Sequence, residues 1–247
     1  EQITSGDLLK IDFDGLGILL DKRLSAHAWS GKVASTGSVL VNRAVDIDGK
    51  VCTLPSLTSF DKYAIEFAQS KGCNEIYASF VSTLSQVHEI RGFLNPNTRL
   101  ISKIETSRGV ANCLDIMNNS DAVLIDRGDL SREITIPSVP LAVKNMMKLA
   151  STIDCPVYVA TNILDSMITA SLPSRAEISD IFNLLESGVA GLVLAAEVAI
   201  GNHPVESVAL INYLQKLYRS YREGFYGIGL VDKPDPDLVG RQLIKWI

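Results

Sequence analysis

Five short apolar runs, each closed by polar or charged residues and followed by a stretch with helical spacing, organise residues 74 to 220. They predict strands at about 75–80, 100–105, 122–126, 156–160 and 191–195, with intervening helices that include 138–152, 175–187 and 204–221. Upstream, Thr58 or Ser59 can cap a helix running through Tyr63 and Phe67 to a stop at Gly72. Within 175–187, Ile178, Ile181, Leu184 and Leu185 recur at helical spacing, which is ordinary packing. Strands that alternate with helices and are apolar throughout predict a parallel sheet covered by helices. A (β/α)8 barrel and a doubly wound sheet both satisfy that pattern. The first 50 residues differ: Leu8 to Asp12 and Gly17 to Leu20 flank Asp14-Gly15 and predict a hairpin, with further strand-like residues from Val33 to Val41.

The strand ends carry the chemistry. In Leu100-Ile101-Ser102-Lys103-Ile104-Glu105, strand alternation puts Lys103 and Glu105 on one face and Ile104 on the other. A lysine and a carboxylate at a buried strand end are costly unless they pair or hold a ligand. The next run, Ala122 to Leu130, also ends in charge, at Asp126-Arg127-Gly128-Asp129. Glu105 and Asp129 are hard oxygen ligands suited to Mg2+, with Mn2+ as a substitute. An ion pair of Lys103 with Glu105, and Asp129 capping a helix, is the structural alternative. Gly128 lets the backbone approach a ligand, and the N–H groups around Arg127 to Asp129 can face an anion; a tight strand-to-helix turn explains the same residues.

Composition narrows the function classes. Apolar residues make up 47% of the 247 and charged residues 21%, which suits a large buried core. The net charge of −5 and the lack of basic clusters argue against nucleic-acid binding. No apolar run approaches the roughly 18 residues of a membrane span, so no membrane partner is expected. Cys52, Cys73, Cys113 and Cys155 are far apart with no metal spacing and read as reduced thiols of a cytoplasmic protein. His27, His88 and His203 are dispersed and offer no hydrolase arrangement.

Taken together, these segments resemble the pyruvate kinase family. The resemblance rests on Tyr77-Ala78-Ser79-Phe80-Val81, Ser102-Lys103-Ile104-Glu105, Arg127-Gly128-Asp129-Leu130, Ala160 to Met167, Ser174 to Asp180, and Glu197 with Gly201-Asn202-His203-Pro204. It implies an α/β fold of the (β/α)8 TIM-barrel type, of which 51–221 supplies strands four to eight. Residues 1–50 would then be the remnant of a β-rich lid, with Asp12-Phe13-Asp14-Gly15 near its turn, and 222–247 a linker and the start of a further element. It implies Mg2+ at Glu105 and Asp129, and Lys103 stabilising charge on a phosphoryl group or enolate. Thr161 would lie near the carbon that receives a proton, Glu197 would be linked to that proton path, and Arg127, Gly128 and Asp129 would form the binding loop. Ser79 would be a wall of the site, and Arg175 and Glu177 structural. The implied substrates are phosphoenolpyruvate or pyruvate with ADP or ATP. K+ is left open, because the residues that hold it in the family have no counterpart here.

The departures cluster near chemistry. Asp126 stands where the family has alanine, and an added carboxylate there repels a trianionic substrate or recruits another cation. Ser131, Asn162, Ser82, Arg108 and the run Ala195-Ala196-Glu197-Val198 also depart. An arc of five barrel strands would expose two edges, so the missing strands are expected from a longer protein, a further domain or an oligomer. Three functions follow as expectations: a Mg2+-dependent phosphotransferase between phosphoenolpyruvate and ADP, a lyase or aldolase acting through a pyruvate enolate, and a catalytically silent barrel module.

Overall fold

The computed structural model describes residues 2–11, 15–37, 39, 44–50 and 55–223, and the chain divides into two units, Glu1–Pro55 and Ser56–Ile247. In the first unit the expected hairpin is present as β1 (Leu8–Ile11) and β2 (Leu16–Arg23), paired Leu8 to Leu19 and Ile11 to Leu16. β3 (Trp29–Ser35) lines the far side of β2, and β4 (Val45–Ile47) lines β1, giving an antiparallel sheet ordered β3-β2-β1-β4. Leu16 and Leu20 are its buried residues. Strand β3 begins earlier than the expected Val33, and the Asp12 to Asp14 turn and most of 38–43 lie outside the described residues.

The second unit begins with α1 (Ser59–Ser70), where Thr58 is the cap and makes a reciprocal capping box with Asp61. Then follow β5 (Glu75–Ala78), α2 (Leu84–Arg91), β6 (Arg99–Ile104), α3 (Ser107–Ala111), α4 (Cys113–Asn118), β7 (Ala122–Asp126), α5 (Arg127–Glu133) and α6 (Val139–Thr152). The unit closes with β8 (Val157–Ala160), α7 (Arg175–Glu186), β9 (Gly191–Val193), α8 (Ala196–Ala199) and α9 (Pro204–Arg222). All five strands are parallel and each pairs with the next in sequence, β5-β6-β7-β8-β9. The first of the five stops at Ala78, short of the expected residue 80, because Phe80 turns into the left-handed region with φ 56°. The region 224–247, which holds most of the expected linker, lies outside the described residues.

Alternation divides the parallel sheet into two faces. Leu100, Ile104, Val123, Ile125, Val157 and Val159 point to the helices and pack with Ile116, Met146, Ile181 and Ile211. Each such fully buried aliphatic side chain contributes about 1.5–3 kcal/mol. On the opposite face Ile101, Ala122, Leu124 and Ala160 form a smaller cluster with Tyr158 and Val193. Gly191 belongs to this face, and a Cβ there would come within 2.7 Å of the Tyr158 ring. Lys103 and Asp126 are the next residues on this face toward the carboxyl ends of β6 and β7. There the apolar pattern gives way to charge.

Candidate metal centre

Glu105 lies one residue beyond β6 and is 1% exposed. Its Oε2 accepts the Phe80 N–H at 2.5 Å, a donor aimed inward by the left-handed turn after β5. Its Oε1, buried and without a hydrogen bond, is ion-paired with the Lys103 ammonium 2.6 Å away. Lys103 Nζ also lies 3.5 Å from Asp126 Oδ2, so the ammonium sits between two carboxylates. Burial drives the Glu105 carboxyl above its usual range, and the pull of Lys103 and the Phe80 N–H does not cancel it. Burial works the other way on Lys103, but Glu105 and then Asp126 outweigh it and hold the ammonium above the ordinary lysine value.

Asp129 in the first turn of α5 completes the group. One carboxylate oxygen from each of Glu105, Asp126 and Asp129 can be chosen so that all lie within 4.8 Å of one another. Asp129 also faces Arg132 at 3.4 Å on the outer side. The three groups that converge beside the Lys103 ammonium are carboxylates, the donor set of a hard cation such as Mg2+ or Mn2+. Glu105 Oε1, buried and without a hydrogen bond, has the Lys103 ammonium as its charge partner, in a position that a bound cation could share.

The adjoining loop is strained and strapped down. Thr161 and Asn162, just past β8, both take left-handed backbone at φ 65° and 52°. For a β-branched residue that conformation is an outlier, of the kind that clusters at functional sites. Thr161 Oγ1 accepts the Gly128 N–H at 2.7 Å and lies 3.1 Å from Asp126 Oδ1 and 2.6 Å from the Ala160 carbonyl. Gly128 sits close to its neighbours: a Cβ there would lie 3.3 Å from Thr161 Oγ1 and 3.4 Å from Asp126 Oδ1, a tight fit. Arg127 donates to the carbonyls of Thr161 at 3.1 and 2.8 Å and of Asn162 at 2.8 Å, and pairs with Asp180 at 2.5 Å. Its guanidinium is thus spent on the β8 loop and Asp180.

The structure brings Lys103, Glu105, Asp129 and, through Asp126, Thr161 and Gly128 into one constellation. Glu197 is held differently: it is 2% exposed, and its two oxygens accept the N–H groups of Leu164 at 3.0 Å and Ala195 at 2.8 Å. Among the described contacts it ties the β8 and β9 loops together. Glu177 closes a capping box with Ser174 and accepts from Ser166 N–H and Oγ, in keeping with a structural reading. A cavity of about 390 Å³ is lined by Arg127, Val143, Met147, Asp180 and Leu184 among others, and includes none of the three carboxylates. Sequence reasoning did not find the Phe80 N–H or the clamp role of Arg127. Neither has a local signal, since each depends on a backbone turn meeting a distant residue.

The fold and the site define a parallel α/β unit with a lysine and converging carboxylates at the carboxyl ends of its strands. Residues 1–208 match the family model of the pyruvate kinase barrel domain. The chain is 38% identical over 209 residues to a pyruvate kinase of Sporosarcina psychrophila, an alignment covering 79% of this chain and 36% of that protein. It is 31% identical over 224 residues to one of Thermococcus litoralis, covering 90% and 47%, and 32% identical over 213 residues to a chloroplastic isozyme G of Nicotiana tabacum, covering 85% and 38%. The chain belongs to the pyruvate kinase family. It spans between 36% and 51% of the length of the curated relatives it matches. Among the described residues, no helix is long and apolar enough to cross a membrane.

Proposed function

We propose that this chain carries the cation and enolate portion of a pyruvate-kinase-like phosphotransferase, which moves a phosphoryl group between phosphoenolpyruvate and ADP to give pyruvate and ATP. The observation that carries the proposal is the convergence of Glu105, Asp126 and Asp129 beside Lys103 at the carboxyl ends of β6 and β7. Glu105 and Asp129 would hold Mg2+ or Mn2+, which when bound supplies Lewis acidity toward substrate oxygens. Lys103 offsets negative charge that grows on the phosphoryl group or the enolate oxygen. Gly128 allows the backbone at the start of α5 to approach the Thr161 hydroxyl, which accepts its N–H at 2.7 Å. Glu197 holds the loop that carries Thr161 through its bond to Leu164.

We take the five-stranded parallel sheet as an arc of a (β/α)8 barrel, 1–50 as the lid remnant, 51–221 as the barrel segment and 222–247 as a linker. Support for the arc comes from the sequential strand order, and from β5 and β9 having one strand neighbour each among the described residues. The remaining strands would come from a longer polypeptide or an associated chain. The three described free cysteines suit a reducing, cytoplasmic setting.

One observation favours a second reading, a lyase or aldolase acting on pyruvate or another α-keto acid. Asp126 adds a carboxylate 3.5 Å from Lys103, which repels a trianionic phosphate ester more than a monoanionic keto acid. Isothermal titration of Mg2+ with oxalate, an enolate mimic, into the full chain and its Glu105→Ala variant tests both enzymes. Metal-dependent oxalate binding that the substitution abolishes is the expected result. Phosphoryl transfer to ADP then separates kinase from lyase, and a folded protein that binds neither metal nor oxalate would sink both.

A further inference from the structure

We propose that Asp126 is a third oxygen ligand of the divalent cation, so that the chain takes up the cation before any substrate arrives. This rests on the reading that Glu105 and Asp129 hold that cation. Asp126 is 8% exposed, and its carboxylate shares a 4.8 Å group of oxygens with theirs. Oxygens about 2.1 Å from a small cation stand roughly 3 to 4 Å apart, so a slight contraction closes the shell. The carboxylate is already oriented for the task. Its Oδ1 lies 3.1 Å from the Thr161 hydroxyl, which is itself held by the Gly128 N–H.

Two further observations mark the space between these oxygens as a place for positive charge. Glu105 Oε1 is buried and accepts no hydrogen bond. The Lys103 ammonium, 2.6 Å from Glu105 and 3.5 Å from Asp126, occupies the position of a positive charge between them. Its flexible four-carbon stem lets it withdraw when a metal ion enters.

The test is Mn2+ titration into the full chain without substrate, followed by electron paramagnetic resonance, with coordinated waters counted from the resonance in 17O-enriched water. The proteins are wild type, Asp126→Ala, Asp126→Asn and Glu105→Gln, each checked for an unchanged circular dichroism spectrum. Asp126→Ala is expected to weaken Mn2+ about 10–100-fold, at least the effect of losing an outer-shell partner, and to gain a coordinated water. Asp126→Asn retains an oxygen and should keep the wild-type water count while binding more weakly. An Asp126→Ala protein with the wild-type water count, whatever its affinity, would show that Asp126 is a neighbouring charge and overturn the inference. The underlying metal reading then survives if Glu105→Gln abolishes binding. Wild-type protein that takes up no Mn2+ even with oxalate present would remove both.

Discussion

Thr161 shows how its surroundings can hold one residue in an unfavourable backbone conformation. Its left-handed backbone is unfavourable for a β-branched residue, a cost of about 1–3 kcal/mol that the surroundings must offset. Arg127 supplies much of that restraint, with donors to the Thr161 and Asn162 carbonyls and a pair with Asp180. Arg127→Lys is therefore not conservative: a single ammonium cannot hold three acceptors in a plane. We expect Arg127→Lys to lower unfolding stability by about 2–4 kcal/mol in urea titration, through lost charge-assisted hydrogen bonds. Thr161→Val, which keeps shape and removes the hydroxyl, should instead leave stability within about 2 kcal/mol. A larger loss from the valine variant than from the lysine variant would reverse the assignment of which residue holds the loop. The arginine motif itself was legible in the sequence, but its side-chain direction was not. Strand alternation assigns a face to residues within β7, and Arg127 lies one residue past its end, where the turn decides.

The helices followed their local signals closely. Thr58, Thr83 and Ser174 cap α1, α2 and α7, and each forms a capping box with the residue three places on. The box at α7 has a pH signature. Burial tends to raise the Glu177 carboxyl, but the Ser166 O–H and N–H and the Ser174 N–H outweigh it and hold it below the usual glutamate value. A depressed folded-state value stabilises the protein above the unfolded value of 4.5, and the gain is lost as pH falls through the lower folded value. Glu177→Gln should lower the melting temperature near neutral pH, with the gap to wild type closing below about pH 4. A gap that persists unchanged at low pH would mean that the cap works by shape alone. Strand boundaries were less legible than helix caps. β9 is only Gly191–Val193, because residues beyond it turn into α8, where Glu197 binds the Ala195 N–H from the first turn.

The parallel sheet leaves its two outer strands with one strand neighbour each among the described residues, and Tyr77 on the smaller face of β5 is 48% exposed. Unpaired parallel edges invite further strands. The 26.8 kDa chain on its own is accordingly expected to sediment as a species larger than a monomer at micromolar concentration. Analytical ultracentrifugation showing a stable monomer would argue that these edges are already covered. The sequence determined the α/β class, the five strands and the helices α1, α6, α7 and α9. It also determined that Lys103 and Glu105 share a face, because helical and strand periodicity and caps act over a few residues. What only the tertiary structure decided was the meeting of Asp126 with Glu105 and Asp129, and the use of Arg127 and Glu197 as ties between loops. The long-range contacts among these join residues from 21 to 53 positions apart, and their distances follow from the parallel register and the left-handed turns at Phe80 and Thr161, which no local pattern encodes.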